Sequence, residues 1–588
     1  MILIISLSVC KFILFKPSAL TVNDVDFHYA RVMSTIHALM DHQLVPQLDP
    51  TAVDGFGYSW NMFYGPLPTY FIAGMFFICR NLALSINVVT LISIFLIGFI
   101  MYRYIKYRTH SHVASLLAAV LMITSNSVLV NIYQYSGYGP LFAIFFSILS
   151  LYGIQKILDS EKNVIGILML SLGGVGMLLS HTLTCLIMIL YIIIFLLFHF
   201  KLTLKRIKSF TLSACLSLGL SAYFLLPFIE LKNTNIYNQF NQTFVNVYMW
   251  KSAAIMNSAR VTLRKMLFPD KLNVIAFPIL LIIISAVLLL TICLLYIFKY
   301  INKKVLGEIF IFLLLAISIL IFCSHLLDWR KLPSFLWTMQ YPTRIMFYAS
   351  GMIFCIYIGL SFAYVAKKIP SGITNSVTIL LVFISFIFSQ IIIDTPNNFF
   401  RQRFDHLEKV DANYSISGRQ FLKTAIGEFF PTNIGTQEKS LSQIISENHQ
   451  AFYFSRNYIY PALVKRKQEG IINLSDKQVN VYQIKKEKYV RSEFKFVTKK
   501  IDQTINVELP KIYYPGYKAY SYTDGKKSNL QAYPSKRGYV KLTLPKVRSR
   551  VVTVYYGLSH ATIIGLSLTI VSILISLYYL IKYRNGKR

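Results

Sequence analysis

The residues best suited to chemistry lie close together near the start of the chain, in the string DVDFHYAR. It contains two carboxylates, Asp24 and Asp26, followed by His28 and Arg31. A carboxylate can accept the proton of an attacking hydroxyl group, and a guanidinium group can hold a phosphate through paired hydrogen bonds. Because ionisable groups directly after an apolar run are costly unless they are solvated, paired or ligated, the string is a candidate site. The alternative is a hydrated loop whose acid caps a helix that starts near Asp26.

Further basic positions could contact a phosphate group. Arg260 and Arg264 lie four residues apart in the positively charged segment 230–273, so we expect them to share one face of an interfacial helix. A solvated basic loop beside anionic headgroups is the equal alternative. Arg344 follows Gln340 at the start of an apolar run, at the expected depth of a headgroup phosphate. There the alternatives are a snorkelling side chain and a structural ion pair.

A histidine, His181, separates two apolar runs in the string LLSHTLT. A lone histidine in such a turn is more often structural, so a structural role and a substrate-binding role are both open. The preceding Gly173, Gly174 and Gly176 predict close packing between helices. They do not form a phosphate-binding loop, because no Lys-Ser or Lys-Thr pair follows them.

The composition indicates a protein of the membrane. Of the 588 residues, 55% are hydrophobic and 14% are charged, and the mean hydropathy is +0.53. The net charge of +34 lies largely in short segments beside apolar runs, which favours topology signalling and anionic lipids over nucleic acid as a partner. Seven cysteines avoid the region 395–558 and form no disulfide framework, as suits a bacterial plasma membrane.

Apolar runs predict about twelve spanning helices. The first run lacks a basic start and a small-residue cleavage site, so we expect a spanning helix there and no cleaved signal peptide. If the short run 65–79 is an interfacial or re-entrant helix, the basic loops fall on the cytoplasmic side and both chain ends lie inside. The predicted spans are 2–15, 82–102, 112–130, 139–157, 164–180, 183–200, 208–229, 274–298, 305–326, 344–366, 373–393 and 560–581.

This topology divides the chain into three parts. Residues 1–394 form a multi-spanning domain, and its first outer loop comprises residues 16–81. Residues 395–558 form an extracytoplasmic domain whose second half alternates apolar and polar residues, which predicts a small β-sandwich with a helix or two. Residues 559–588 form the last spanning helix and a basic cytoplasmic tail.

Several strings resemble a family of large bacterial membrane proteins. They are DVDFHYAR, GFGYSWNMFYGPLPTYF (with Tyr64), LLSHTLT, WTMQYPTRIMFYA and ELPKIYYPGYKAY. That family is called 6-pyruvoyl-tetrahydropterin synthase-related, and its layout is similar to C-type (GT-C) glycosyltransferases and to membrane proteins implicated in lipoteichoic acid glycosylation. The resemblance implies that an acidic residue of the first outer loop is the general base or a metal ligand. Asp24, which matches a D-x-x-F-H pattern, is the first choice and Asp26 the second.

The resemblance implies a glycosyltransferase that takes a sugar from a polyprenyl-phosphate-linked donor. The acceptor would be an extracytoplasmic cell-envelope polymer, either teichoic acid or polysaccharide. The implied catalytic residues are Asp24, Asp26 and His28, and the resemblance allows a divalent metal ion as a cofactor. The residues expected to bind the substrate or the donor's lipid phosphate are Arg31, Tyr64, His181, Arg260, Arg264, Gln340 and Arg344. The alternative is a non-catalytic lipid or polymer transporter, or an envelope assembly scaffold; the scarcity of charge in the spans and the lack of a clear inverted repeat favour the enzyme.

Overall fold

The computed structural model describes most of the chain, and the statements below concern these residues. They are 1–15, 25–40, 42–50, 52–53, 55–160, 163–234, 237, 253–268, 278–299, 303–394, 430–431, 434, 460–474, 481–488, 493–498, 503–523, 526–546 and 550–585.

Helices make up most of the described chain before residue 395. In order they are α1 Ile2–Val9, α2 Lys11–Phe15, α3 Val25–Met40, α4 Trp60–Phe63, α5 Leu67–Cys79, α6 Leu82–Thr109, α7 His112–Ile123, α8 Asn126–Tyr133, α9 Tyr138–Asp159, α10 Val164–Ser180, α11 Thr182–Phe198, α12 Phe200–Lys205, α13 Ile207–Leu220, α14 Ala222–Thr234, α15 Ala253–Ser258, α16 Leu263–Leu267, α17 Ile279–Ile297, α18 Lys303–Cys323, α19 Thr343–Ile345, α20 Gly351–Ala366 and α21 Ser371–Asp394. Two 3₁₀ turns, Trp329–Lys331 and Ser334–Met339, precede α19, and a π-turn, Met346–Ser350, joins α19 to α20.

Eight helices in the described chain are long and apolar enough to cross a membrane, counting α7 with α8 and α19 with α20. A ninth arises if α13 and α14, which meet at a bend of 71°, are one span. The predicted spans 164–180 and 183–200 are helices of 17 residues, and the predicted span 2–15 is divided into α1 and α2. The structure thus confirms a mostly helical chain with eight helices that could span a membrane, while the number twelve, the membrane placement and the placement of α5 stay predictions.

The apolar helices differ in what surrounds them. Most residues of the helix that begins at Thr343 and ends at Ala366 are buried among its neighbours. In contrast, α17, α21 and the last helix, His560–Asn585, expose many of their large aliphatic side chains. Such exposure would be unfavourable in water and is typical of helices that face lipid.

The region after residue 460 is a β-sandwich, as predicted. A helix, α22 Tyr460–Glu469, precedes two antiparallel sheets of order β1-β4-β8-β7 and β2-β3-β9-β5-β6, and α23 His560–Asn585 follows them. Inward side chains of both sheets share one core. The strands are β1 Ile472–Asn473, β2 Val481–Lys488, β3 Glu493–Thr498, β4 Ile505–Ile512, β5 Tyr517–Thr523, β6 Lys526–Leu530, β7 Ala532–Pro534, β8 Tyr539–Leu544 and β9 Arg550–Tyr556.

The predicted first outer loop packs into this sandwich. Phe56, Tyr58 and Trp60 are buried in the same core as the inward residues of the two sheets. The backbone amide of Ile512 donates a hydrogen bond to the carbonyl oxygen of Phe56 at 2.9 Å, so the backbone of the loop is bonded directly to β4. The loop and the sandwich are therefore one packed unit, although more than 400 residues separate them along the chain.

Ion pairs join chain segments that the charge pattern assigns to the same face. Lys11, the first residue of α2, pairs with Asp394 at the end of α21 (3.0 Å). On the other predicted face, Arg108 at the end of α6 pairs with Glu308 of α18 (2.8 Å). Each ion pair thus joins two segments that the distribution of basic loops places on the same face. Which of the two faces is extracytoplasmic stays a prediction.

Candidate functional site

The helix predicted to start near Asp26 is α3. Its residues Tyr29, Val32, Met33 and Ile36 have the three- and four-residue spacing of one helix face, and they pack against α5 and α6. This packing fixes the rotation of α3 and thereby the direction of its polar side chains.

Arg31 is directed from α3 toward the loop before α5. Its side chain is buried, and one terminal nitrogen donates a hydrogen bond to the carbonyl oxygen of Gly65 at 2.7 Å. The guanidinium carbon lies 4.2 Å from the centre of the Tyr64 ring. Burial lowers the pKa of Arg31 to about 10. Within the described part of the chain no carboxylate pairs with this cation, and its Nε has no hydrogen-bond partner.

His28 lies one turn before Arg31 and is also buried. Its ring centre is 5.4 Å from that of Tyr138 and 6.1 Å from that of Tyr64, both in edge-to-face arrangements. Burial, and then the nearby charge of Arg31, lowers the pKa of His28 to about 3. The imidazole is therefore neutral at physiological pH and can accept or donate a hydrogen bond without adding charge.

His181 caps the start of α11, which supports the structural role that the sequence left open. Its Nδ1 accepts a hydrogen bond from the backbone amide of Thr184 at 3.1 Å. Its ring also contacts Tyr64, at 5.7 Å between centres, and Tyr348, at 5.1 Å. Burial, and then the charges of Arg344, His28 and Arg31, lowers the pKa of His181 well below its usual value.

Two glycines allow the backbone around His181 to come this close. A Cβ on Gly65 would lie 2.4 Å from the carbonyl oxygen of Leu179, and a Cβ on Gly139 would lie 2.8 Å from that of Ser180. Neither contact is sterically allowed, because both neighbours are backbone atoms. The segment that carries Tyr64 can therefore rest directly on the turn that carries His181.

Arg344 approaches the same place from α19. It is half-buried, and its guanidinium carbon lies 4.6 Å from the centre of the Tyr341 ring. Within the described residues its Nε has no hydrogen-bond partner and no carboxylate pairs with it. The π-turn that follows carries Tyr348 to His181; π-turns inside helices are frequent at functional sites.

Four separate segments thus meet in one place, which we call the arginine–aromatic cluster. It consists of His28, Arg31, Tyr64, His181, Arg344 and Tyr348. Five of these six residues were predicted from the sequence. Tyr348 was missed, although it lies in the string WTMQYPTRIMFYA; Tyr138, which contacts His28, was missed too, and only its position before an apolar run could have indicated it.

The prediction that Arg260 and Arg264 share one helix face is wrong. Thr262 caps a new short helix, α16, so Arg260 lies outside the helix that carries Arg264. Arg260 donates hydrogen bonds to the carbonyl oxygens of Asn257 and Leu327 at 2.8 and 2.6 Å, and Arg264 is exposed. Among the described residues no contact joins either arginine to the cluster, and Arg260 has a structural role instead.

The remaining predicted residues are placed only in part. Gln340 ends the second 3₁₀ turn with a left-handed backbone (φ 68°), four residues before Arg344. Asp24 lies outside the described residues, and Asp26 is in the first turn of α3, with its side chain outside the described part. In the described chain no three His, Cys, Asp or Glu side chains form a group that could hold a metal ion, so a metal site stays a prediction that depends on the two aspartates.

Fold and cluster together define a class: a multi-helix protein with at least eight apolar helices of membrane-spanning length, a β-sandwich before the last helix, and two arginines among aromatic rings. The chain is 31% identical over 584 residues to a protein of Lactococcus lactis subsp. cremoris (strain MG1363) described as an uncharacterized protein; the match covers 94% of this chain and 91% of that protein. The chain therefore belongs to the same family as this lactococcal protein. No family model matches the chain, and no solved structure matches it.

Proposed function

We propose that the protein is a membrane glycosyltransferase of GT-C type. It transfers a sugar from a polyprenyl-phosphate-linked donor to a cell-envelope acceptor, a teichoic acid or polysaccharide, on the extracytoplasmic face of the bacterial plasma membrane. The observation that carries this proposal is the convergence of Arg31 and Arg344 on one aromatic cluster. Two buried or half-buried cations without a carboxylate partner in the described chain favour an anionic ligand.

The chemistry assigns separate tasks to separate groups. The acceptor hydroxyl loses its proton to Asp24, or to Asp26, as its oxygen bonds to the anomeric carbon. The bond between that carbon and the phosphate oxygen breaks, and its electron pair leaves with the polyprenyl phosphate. Arg31 and Arg344 stabilise the negative charge on this leaving group. The neutral His28 and His181 add hydrogen-bonding capacity without repelling either cation further.

Several observations support the same arrangement. Asp26 is on the helix that carries Arg31, so at least one candidate base belongs to the element that builds the cluster. The first outer loop also packs into the sandwich, which is predicted to lie on the same extracytoplasmic face. A long polymer acceptor could therefore approach the cluster from the sandwich side.

The proposal is tested by transfer from a defined donor. The purified protein in lipid nanodiscs is given undecaprenyl-phosphate-linked hexoses with a radiolabelled sugar, together with cell-envelope polymer from a strain that lacks the gene. We expect label to reach the polymer, and Asp24→Asn to abolish transfer without lowering the amount of folded protein. Absence of transfer with every donor and acceptor contradicts the proposal.

A second candidate, transport of a lipid-linked substrate, is favoured by one observation. The apolar helices α13 and α14 are bent by 71° at their junction, and broken helices are frequent at transporter binding sites. In sealed vesicles, a transporter would move the labelled donor across the bilayer with its sugar still attached. A transferase would instead consume it only when acceptor is present.

A further inference from the structure

The β-sandwich carries far more positive charge than the membrane topology requires. Residues 460–558 contain 21 Lys and Arg against 7 Asp and Glu. Long exported domains cross membranes largely regardless of their charge, so the inside-positive pattern does not account for this excess. Where side chains of the sandwich region are described, the two acidic residues, Glu469 and Glu508, are both paired with arginines. The lysines thus determine the electrostatic character of its surface.

Part of this charge lies beside aromatic rings on the outer face of the five-stranded sheet. Along β5, Tyr517, Ala519 and Ser521 are buried, so the alternate residues Lys518, Tyr520 and Tyr522 face outward. We call the outward set the tyrosine–lysine face; it consists of Lys518, Tyr520, Tyr522, Lys527 and Tyr555.

The members of this face contact one another. The ring centre of Tyr520 is 5.8 Å from that of Tyr522 and 5.9 Å from that of Tyr555, and the Nζ of Lys527 lies 4.2 Å from the Tyr520 ring. Tyrosine rings offer apolar faces on which the C–H side of a sugar ring can stack. Lysine ammonium groups attract phosphate as point charges. Rings and cations side by side therefore match a ligand in which sugars and phosphates alternate.

The tyrosine–lysine face is a row along the strands. Lys518 pairs with Tyr555 near the end of β9 that leads into α23, and Tyr522 pairs with Lys527 at the other end of β5. Four residues of strand separate the two ends, about 14 Å. An extended polymer can follow such a row, whereas the headgroups of a bilayer form a plane.

We propose that the tyrosine–lysine face binds a polyanionic, phosphate-bearing glycopolymer of the cell envelope. The inference rests on the proposed function in one respect: the bound polymer is the acceptor, so the acceptor is a teichoic-acid-like chain and not a neutral polysaccharide. The sandwich holds this polymer while its packed partner, the first outer loop, leads into the arginine–aromatic cluster.

The test uses the full-length protein in nanodiscs of zwitterionic lipid. The probes are deacylated glycerol-phosphate lipoteichoic acid, neutral dextran and phosphatidylglycerol vesicles. The triple variant Lys518→Gln/Tyr520→Ala/Lys527→Gln is compared with a matched triple variant on the other sheet, Tyr533→Ala/Lys536→Gln/Lys541→Gln. Tyr533 is exposed there, and the Nζ of Lys541 lies 5.9 Å from its ring, so the control removes the same residue types. Thermal melting confirms that both variants are folded.

We expect lipoteichoic acid to bind the wild type, to bind more weakly as salt is added, and to lose at least tenfold in affinity in the first variant. The second variant should stay within twofold of the wild type, and dextran should not bind. Equal losses in both variants, or preferred binding to the vesicles, overturn the proposal. Because polymer binding needs no donor, Asp24→Asn should bind polymer normally. If the wild type binds polymer but transfers no sugar, the proposed transferase activity is rejected and the polymer face is not. If the first variant transfers sugar with an unchanged KM for the polymer, the polymer face is rejected and the transferase activity is not.

Discussion

Two buried arginines, Arg466 in the sandwich and Arg31 in the cluster, have opposite electrostatic environments. Arg466 is 1% exposed and pairs with Glu508 at 3.0 Å, and Arg537 contacts the same carboxylate. Arg31 is 2% exposed, and within the described residues it contacts only carbonyl oxygens and rings. The charge of Arg466 is neutralised by a carboxylate of the protein, whereas the charge of Arg31 is left for a ligand to neutralise.

The difference indicates what each site does. A buried ion pair whose partners are both satisfied contributes to a defined packing of the sandwich, but leaves no charge for a ligand. A buried cation without a counter-ion costs desolvation energy: burial lowers the pKa of Arg31 to about 10, although Tyr64 acts in the opposite direction. An unfavourable buried cation of this kind is typical of a functional site where an anionic ligand binds. Arg31 is therefore the better candidate for a ligand contact.

The largest expected effect concerns the stability of the paired site. Glu508→Gln leaves Arg466 buried without a counter-ion, so we expect the variant to lose about 3–5 kcal/mol of unfolding free energy. The matched control is Glu469→Gln, which removes a partly exposed partner of Arg537 and should cost about 1 kcal/mol or less. Unfolding of the sandwich is followed by limited proteolysis in denaturant. Equal losses of unfolding free energy in the two variants would show that the buried pair of Arg466 and Glu508 contributes no more to stability than the partly exposed pair of Arg537 and Glu469.

The second prediction tests the unpaired site. Arg31→Met keeps the volume of the side chain but removes its charge, so we expect the transfer rate to fall about 100- to 1,000-fold. Stability should change little, because the lost hydrogen bonds are offset by the relief of a buried charge. The control is Arg264→Met, an exposed arginine away from the cluster. A strong loss of stability in Arg31→Met with normal transfer by the folded fraction would make Arg31 a structural residue like Arg466.

The sequence predicted local features of both regions well. Alternation of apolar residues predicted the sandwich, and the turn string YTDGKKSN agrees with the pairing of β5 with β6. The glycines of α10 pack closely as expected: a Cβ on Gly173 would lie 2.8 Å from the carbonyl oxygen of Phe146. These features depend on residues within a few positions of each other, so a single sequence contains the necessary information.

Long-range features could not be read in this way. The core shared by Phe56 and Tyr539 and the counter-ion of Arg466 depend on residues far apart in the chain, and no periodicity reports such a pairing. The misplaced Arg260 and Arg264 show a local failure as well. Their four-residue spacing indicated one helix, but the hydroxyl of Thr262 accepts a hydrogen bond from the amide of Lys265 and starts a new helix between them.

The third prediction concerns the close backbone contact that builds the cluster. Gly65→Ala places a Cβ against the carbonyl of Leu179, so we expect a loss of about 1–3 kcal/mol in stability and a further loss of transfer by the folded protein, since Tyr64 and His181 move apart. Gly74→Ala is the control. Gly74 lies inside α5 with open space around it, and there alanine should stabilise the helix by about 0.5–1 kcal/mol. Thermal melting and transfer assays of both variants decide the matter.

The smallest expected effect is a pH dependence of stability that the two histidines of the cluster cause. The pKa of His28 is about 3 in the folded protein and about 6.5 in the unfolded chain, so below pH 6.5 the unfolded state binds a proton that the folded state does not. Stability should therefore fall as pH is lowered, by about 1.4 kcal/mol per unit for this histidine between pH 6.5 and 3. His181 acts in the same direction, so His28→Gln should remove only part of the dependence. Melting temperatures of wild type and variant between pH 7.5 and 5.5 measure the difference. Parallel curves would mean that the pKa of His28 is the same in the folded protein as in the unfolded chain, so that an opposite charge offsets the effect of its burial, as Glu508 neutralises Arg466.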